Sequence, residues 1–332
     1  MLHSPIVLLL IFIISLGLLL KGADLLVDGS ASIAKRFNVS PLIIGLTIVS
    51  LGTSLPEFVI SLMAVISGST GISVGNIIGS NIANIGLILG LSAMISPLSV
   101  QHTMLYYEMP FMVTSVIVYM IIANDMFIYG KPTLAIENYD GLLFLCLLLF
   151  FFYYLYDSIK KNHAVALEVE LLEELPENAK GSILKYILFV ILGIVMLFGG
   201  GRFFVFSSVH IARILGIPET FIGLTIVSIG TSLPELFTSV TASFKKEADI
   251  AVGNVVGSNI FNILFVFGIV SLVKTIDVDS DVYFVDSVFM VAFTLCFVLF
   301  ATTSFRVSRK EGLILFVSYI LYLVILILRN VY

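Results

Sequence analysis

The hexapeptide Gly52-Thr53-Ser54-Leu55-Pro56-Glu57 occurs twice in the chain, returning as Gly230-Thr231-Ser232-Leu233-Pro234-Glu235, and each copy interrupts a long apolar run. Each copy places one carboxylate in hydrocarbon-like surroundings. An acidic residue at the centre of a spanning helix costs roughly 2.5–3.5 kcal/mol on insertion scales. Two such residues in matched positions therefore call for positive charge to offset them.

The 332 residues are 59% hydrophobic and 12% charged, with a mean hydropathy of +1.13. That excludes the soluble globular class and identifies an integral, all-α, polytopic membrane protein. A spanning helix needs about 20 predominantly apolar residues. The apolar segments fall at 5–34, 41–66, 72–96, 104–123, 137–158, 182–214, 219–244, 250–273, 281–303 and 311–329, which predicts ten spans. The start, Met1-Leu2-His3-Ser4-Pro5, has no basic flank of the kind that precedes a cleaved leader, so the first run is read as a span. Cys146 and Cys296 sit in separate apolar runs without metal-ligand spacing and read as small buried hydrophobes. A net charge of −5 with no basic run argues against nucleic acid as a partner.

Sliding the chain against itself by 178 residues aligns Ile44–Glu57 with Ile222–Glu235, identical at 13 of 14 positions. The same offset lays Gly75-Asn76-Ile77-Ile78-Gly79-Ser80-Asn81-Ile82-Ala83-Asn84 on Gly253-Asn254-Val255-Val256-Gly257-Ser258-Asn259-Ile260-Phe261-Asn262. A constant offset across both motifs means a duplicated unit, and in membrane proteins such repeats mark transporters with a site at the repeat interface. Five spans per half is an odd number, so the second half starts from the opposite side and the repeats are inverted. The expected organisation is a first five-helix repeat at 1–160, a short acidic loop at 161–181 and a second repeat at 182–332. With both termini outside, eleven basic residues flank the inner side and four (Lys131, Arg213, Lys274 and Arg329) the outer. The positive-inside rule therefore puts the middle loop in the cytoplasm. Leu167, Leu171 and Leu175 in that loop recur every four residues, as in a short interfacial helix.

Pro56 and Pro234 lack an N–H and clash with the carbonyl four residues back, so the helical ladder must open near Gly52 and Gly230. Carbonyls released there, together with Glu57 and Glu235, form the mixed oxygen donor set that hard cations prefer. Ser80 and Asn84, and likewise Ser258 and Asn262, lie four apart and share a helix face. Gly75, Gly79, Gly253 and Gly257 form small-xxx-small pairs suited to close helix approach. Back-bonding of the Ser and Thr hydroxyls to released carbonyls is the competing use of those groups.

These segments, the paired Gly-Thr-Ser-Leu-Pro-Glu and Gly-Asn-x-x-Gly-Ser-Asn-Ile-x-Asn, resemble the two signature repeats of the cation/Ca²⁺ exchanger superfamily, most closely its prokaryotic Na⁺/Ca²⁺ exchangers. The resemblance covers nearly the whole chain. It implies ten helices in two inverted halves, with broken helices 2, 3, 7 and 8 forming an ion-binding core and long helices 1 and 6 sliding across it. It implies a secondary antiporter of the cell membrane, not an enzyme, exchanging Na⁺ for Ca²⁺ by alternating access, with those ions as substrates. No cofactor and no obligate protein partner are expected. It implies that Glu57 and Glu235 bind Ca²⁺ with the main-chain carbonyls of Thr53 and Thr231. Sodium sites would add Ser50, Ser54, Ser80, Ser228, Ser232 and Ser258, with Asn84 and Asn262 lining the centre. Relatives can carry an acid where this chain has Asn262, which argues against K⁺ dependence. Proton-coupled relatives usually carry a different first motif, which favours sodium over a H⁺/Ca²⁺ antiporter of the same fold. A cation channel is the alternative of a different class. Asp24 and Arg202 correspond at the 178 offset and could pair across the sliding interface; Glu108 and Asp286 also correspond, near the starts of spans 4 and 9, where an interfacial position is expected.

Overall fold

The computed structural model describes residues 5–37, 39–124, 130, 133–170, 182–215 and 228–331. Side chains 161–170, 213, 228, 330 and 331 lie outside the description, as do His3, Lys131, Glu173, Glu174, Glu177 and the 222–227 part of the repeat. The described chain is helical almost throughout: α1 Pro5–Arg36, α2 Pro41–Thr53, α3 Leu55–Ile66, α4 Thr70–Ile95, α5 Met104–Ile122, α6 Asn138–Glu170 and α7 Ile183–Ile214. There follow α8 Ser228–Thr231, α9 Leu233–Phe244, α10 Ala248–Val273, α11 Val282–Ser304 and α12 Arg309–Val331. Eight of these helices are long and apolar enough to cross a membrane, and α2 with α3 makes a ninth, bent by 44°.

The bend is local chemistry. Pro56 sits in the first turn of α3, where its missing N–H is no loss to α3 but leaves the Gly52 carbonyl without its helical donor. Ser54, between the halves, has φ −84° and ψ 4°. Ser232, at the same place between α8 and α9, has φ −87° and ψ 11°. The turn after α3 needs a left-handed residue and uses Gly68 at φ +85°; its 178-offset counterpart after α9 is Lys246 at φ 61°. A non-glycine residue is held there by the same local geometry.

Spans 3 and 8 differ from expectation. Neither is broken: α4 and α10 run continuously, and each changes to π-helical bonding for six residues, at Asn84–Leu89 and Asn262–Phe267. A π-helical stretch reorients side chains without freeing the backbone, which no proline here forces open. These two helices are the centre of the protein, with 78% and 83% of their most apolar stretches buried, against 28% for α1 and 22% for each of α6, α7 and α12. The outer helices present rows of exposed apolar residues such as Ile6, Ile13, Leu149 and Phe150. Cys146 and Cys296 are exposed on such faces rather than buried, so their setting is apolar because of the bilayer, not the core.

Helices α1 and α7 pack side by side through small residues: a Cβ on Gly193 would stand 2.8 Å from the Gly22 carbonyl. Two short antiparallel pairings tie span ends together, β1 Leu98–Ser99 with β4 Arg306–Val307, and β2 Ala135–Ile136 with β3 Ile276–Asp277. Helix α6 continues to Glu170, ten residues past the expected boundary at 160; residues 171–181, including Leu171 and Leu175, lie outside the described residues.

Candidate functional site

The helix breaks bring both motif glutamates into the protein interior. Glu57 and Glu235 are each 1% exposed, and each is held by the other half of the chain. Ser54 donates to Glu235 Oε1 at 3.0 Å, and Ser232 donates to Glu57 Oε1 at 3.2 Å. Ser80 donates to the same Glu57 oxygen at 3.5 Å and accepts from Ser232 at 3.2 Å.

Two asparagines brace the breaks. Asn76 donates to Ser61 Oγ at 2.9 Å and to the Glu57 carbonyl at 3.2 Å. Asn254 donates to Ser239 Oγ at 2.9 Å and to the Glu235 carbonyl at 3.5 Å. Their side-chain oxygens accept across the repeat, Asn254 from Thr53 at 3.0 Å and Asn76 from Thr231 at 3.4 Å. Where α4 and α10 cross, Asn84 donates to Asn259 Oδ1 at 2.9 Å and Asn262 donates to Asn81 Oδ1 at 3.2 Å. Each of these asparagine contacts has its partner at the 178 offset.

The orphaned atoms show the same symmetry. Among the described residues Glu57 Oε2, Glu235 Oε2, Asn84 Oδ1 and Asn262 Oδ1 are buried without a hydrogen-bond partner. Buried acceptors without donors are costly, and four of them within one polar layer are what a bare cation would satisfy. No three His, Cys, Asp or Glu side chains converge among the described residues, so the charge available is that of two carboxylates. The donor set, carboxylates with amide, hydroxyl and carbonyl oxygens, is the one hard cations take.

The remaining predicted residues divide. Thr53, Thr231, Ser54, Ser80 and Ser232 join the cluster. The Ser50 hydroxyl turns back to the Leu46 carbonyl at 2.8 Å, the competing use expected of a helical serine, and its own carbonyl accepts from Thr53 at 3.3 Å. Ser258 is fully buried and its hydroxyl has no partner among the described residues, unlike Ser80. The Ser228 side chain lies outside the described residues. Asn76, Asn254, Asn81 and Asn259 stand in the quoted motif but were not predicted as site residues. The signal was there, since Asn76-Ser80-Asn84 is one four-residue spacing carried back a turn.

A cavity of about 560 Å³ reaches the cluster, lined by Asn76, Ser80 and Thr231 at one end and by Asp286 and Arg329 elsewhere along its wall. Gly75 and Gly79 line it too, and no described atom lies within 4 Å of a Cβ placed on either. Their counterparts are close-packed: a Cβ on Gly253 would stand 2.8 Å from the Leu42 carbonyl and one on Gly257 2.7 Å from that of Leu46. The expected close approach thus holds for the second pair and fails for the first, because the cavity occupies that place.

The Asp24–Arg202 pairing is not formed. Asp24 pairs with Lys245 at 2.7 Å, while Arg202 lines an apolar cavity of about 360 Å³ between α7 and the break. Glu108 and Asp286 are buried within the protein, at 2% and 6% exposure. Tyr154 donates to Glu108 at 2.9 Å, and Asp286 accepts from Tyr322 at 3.2 Å and from Arg329 at 2.6 Å.

The profile of the sodium/calcium exchanger protein family matches residues 7–156 and 185–328. The chain belongs to that family. It is 33% identical over 341 residues to the sodium/calcium exchanger MaX1 of Methanosarcina acetivorans, covering 96% of this chain and 97% of that one. It is 36% identical over 305 residues to the inner membrane protein YrbG of Escherichia coli, covering 91% and 90%. The fold is similar to a solved structure of the sodium-calcium exchanger NCX_Mj soaked with 10 mM Na⁺ and zero Ca²⁺, with a TM-score of 0.80 and 33% identity over 96% of this chain and 98% of that one. As an exchanger-family protein it is a multi-pass membrane protein, and its paired motifs are the parts of the chain that converge on the buried glutamates.

Proposed function

We propose that this protein is a secondary antiporter exchanging Na⁺ for Ca²⁺, with Glu57 and Glu235 as the charged ligands shared by the two ions. The observation that carries this reading is the set of orphaned acceptors on Glu57, Glu235, Asn84 and Asn262. Two carboxylates balance one divalent cation, or several monovalent ones on the same oxygens, and this mutual exclusion is the basis of exchange. Carbonyls of Thr53 and Thr231 complete the Ca²⁺ ligands. Hydroxyls of Ser54, Ser80, Ser232 and Ser258 serve Na⁺, as do Ser50 and Ser228 through main-chain oxygens.

Ten spans in two inverted five-helix repeats, 1–160 and 182–332, with both termini outside, are the organisation this reading adopts. The cavity beside Gly71, Asp286 and Arg329 is then the outer entrance. Helices α1 and α7 slide over the core once ions neutralise the glutamates; the empty, doubly negative core cannot pass along their apolar faces without a desolvation cost of several kcal/mol per charge.

The test is ⁴⁵Ca²⁺ uptake into proteoliposomes under an outward Na⁺ gradient, then under an outward H⁺ gradient without sodium. Uptake driven only by sodium is expected. Uptake driven only by protons would replace the coupling ion, and uptake needing neither gradient would indicate a channel.

A further inference from the structure

We infer that Arg329 is a built-in counter-charge in the ion entrance that sets how Na⁺ and Ca²⁺ compete for the site; the inference rests on the exchanger reading. Of the residues lining the 560 Å³ cavity that reaches Ser80 and Thr231, two carry charge, Asp286 and Arg329. The Arg329 guanidinium bonds Asp286 Oδ2 at 2.6 Å, and Tyr322 donates to Oδ1 at 3.2 Å. Both Asp286 oxygens are thus engaged. Its side chain is 8% exposed, and that of Arg329 23%.

The cation is not demanded by the repeat. Glu108, the counterpart of Asp286 at the 178 offset, accepts from the Tyr154 hydroxyl, and no ion pair joins it to a cationic side chain among the described residues. In that half the buried acid has a hydroxyl on one oxygen and none on Glu108 Oε2, which has no partner among the described residues; the other half engages both oxygens and adds a full positive charge, and does so in the wall of the passage. Arg329 Nη1 is moreover buried without a partner among the described residues. An arginine placed only to satisfy Asp286 has no need of that orphaned donor.

The consequence follows from valence. A potential ψ at the site scales the local concentration of an ion of charge z by exp(−zeψ/kT), so the factor for Ca²⁺ is the square of that for Na⁺. A unit charge on the order of 10 Å away, partly screened, contributes about 1 kT. Arg329 therefore holds down the divalent ion more than the monovalent one, and Asp286 returns the balance to near neutrality.

The experiment is equilibrium ⁴⁵Ca²⁺ binding to the purified full-length protein in detergent, with Na⁺ as competitor, at low and at high choline chloride. Saturable, Na⁺-displaced binding by the wild type upholds the exchanger reading on its own; its absence overturns that reading and this inference together. Given binding, Arg329→Gln is expected to lower half-saturating Ca²⁺ about 7-fold and Na⁺ about 3-fold, for a shift of about 1 kT. Asp286→Asn is expected to raise half-saturating Ca²⁺ about 7-fold and Na⁺ about 3-fold. The double variant should return to within about 2-fold of wild type, Arg329→Lys should match wild type, and all shifts should shrink at high salt. Shifts of the same sign in the two single variants, equal factors for the two ions, or no shift would overturn the counter-charge role. Asp286→Asn decides the case if Arg329→Gln is recovered unfolded.

Discussion

Ser54 donates to Glu235 Oε1 at 3.0 Å across 181 positions of sequence. Its counterpart Ser232 donates to Glu57, so each glutamate takes one hydroxyl from the opposite motif. A hydrogen bond to a charged group is worth about 1.5–3 kcal/mol. Ser54→Ala should therefore weaken Ca²⁺ binding about 10-fold or more, and Ser232→Ala likewise. Calcium titrations of the two variants measure this; wild-type affinity in both would remove the serines from the site.

Glu57→Gln and Glu235→Gln each leave one carboxylate to balance a divalent ion. Breaking a buried charge pair costs about 3–5 kcal/mol, so Na⁺-driven ⁴⁵Ca²⁺ uptake should fall at least about 100-fold in each. Insertion should persist, because removing a buried charge eases burial of the helix. Membrane abundance measured beside uptake separates the two effects, and wild-type-like transport in both variants would sink the assignment.

Gly257 and Gly79 are the same position in the two repeats, yet a Cβ meets the Leu46 carbonyl at 2.7 Å at the first and nothing described within 4 Å at the second. Gly257→Ala should lose about 1–3 kcal/mol to overpacking against rigid backbone and unfold at lower temperature in detergent. Gly79→Ala should unfold close to wild type. Equal destabilisation of the two would contradict the asymmetry.

That asymmetry marks the limit of what the sequence conveys. The doubled motif, its offset and the proline breaks are local chemistry, and they led directly to two buried glutamates linked by crossed hydrogen bonds. Near-identical segments cannot encode which of two related glycine pairs faces a cavity, because that belongs to the conformation adopted. The partner of Asp24 was equally hidden. Offset pairing suggested Arg202, but the left-handed turn at Lys246 follows a lysine, Lys245, that reaches Asp24 at 2.7 Å, and such reach depends on helix placement rather than on the repeat. The continuity of α4 was in principle readable, since no proline interrupts residues 70–95.

Asn254 carries the last prediction, because it makes three contacts at once: to Ser239 Oγ, to the Glu235 carbonyl and from Thr53. It is fully buried, so water does not replace what it supplies. Asn254→Ala leaves the Glu235 carbonyl and Ser239 Oγ without their Asn254 donor next to the helix break, at about 1–3 kcal/mol for each group left unsatisfied, and leaves Thr53 only its bond to the Ser50 carbonyl. The unfolding temperature in detergent should drop by several degrees, and Ca²⁺ affinity with it, since Thr53 loses the contact that holds it beside the motif. Asn254→Asp keeps the acceptor for Thr53 but can donate neither to Ser239 Oγ nor to the Glu235 carbonyl, and adds a third carboxylate to the layer. It should be less harmful than Ala when Ca²⁺ is present and more harmful when it is absent, as thermal melts at saturating and chelated Ca²⁺ would reveal. Melts of Asn254→Asp that are insensitive to Ca²⁺ would separate this bracing residue from the ion.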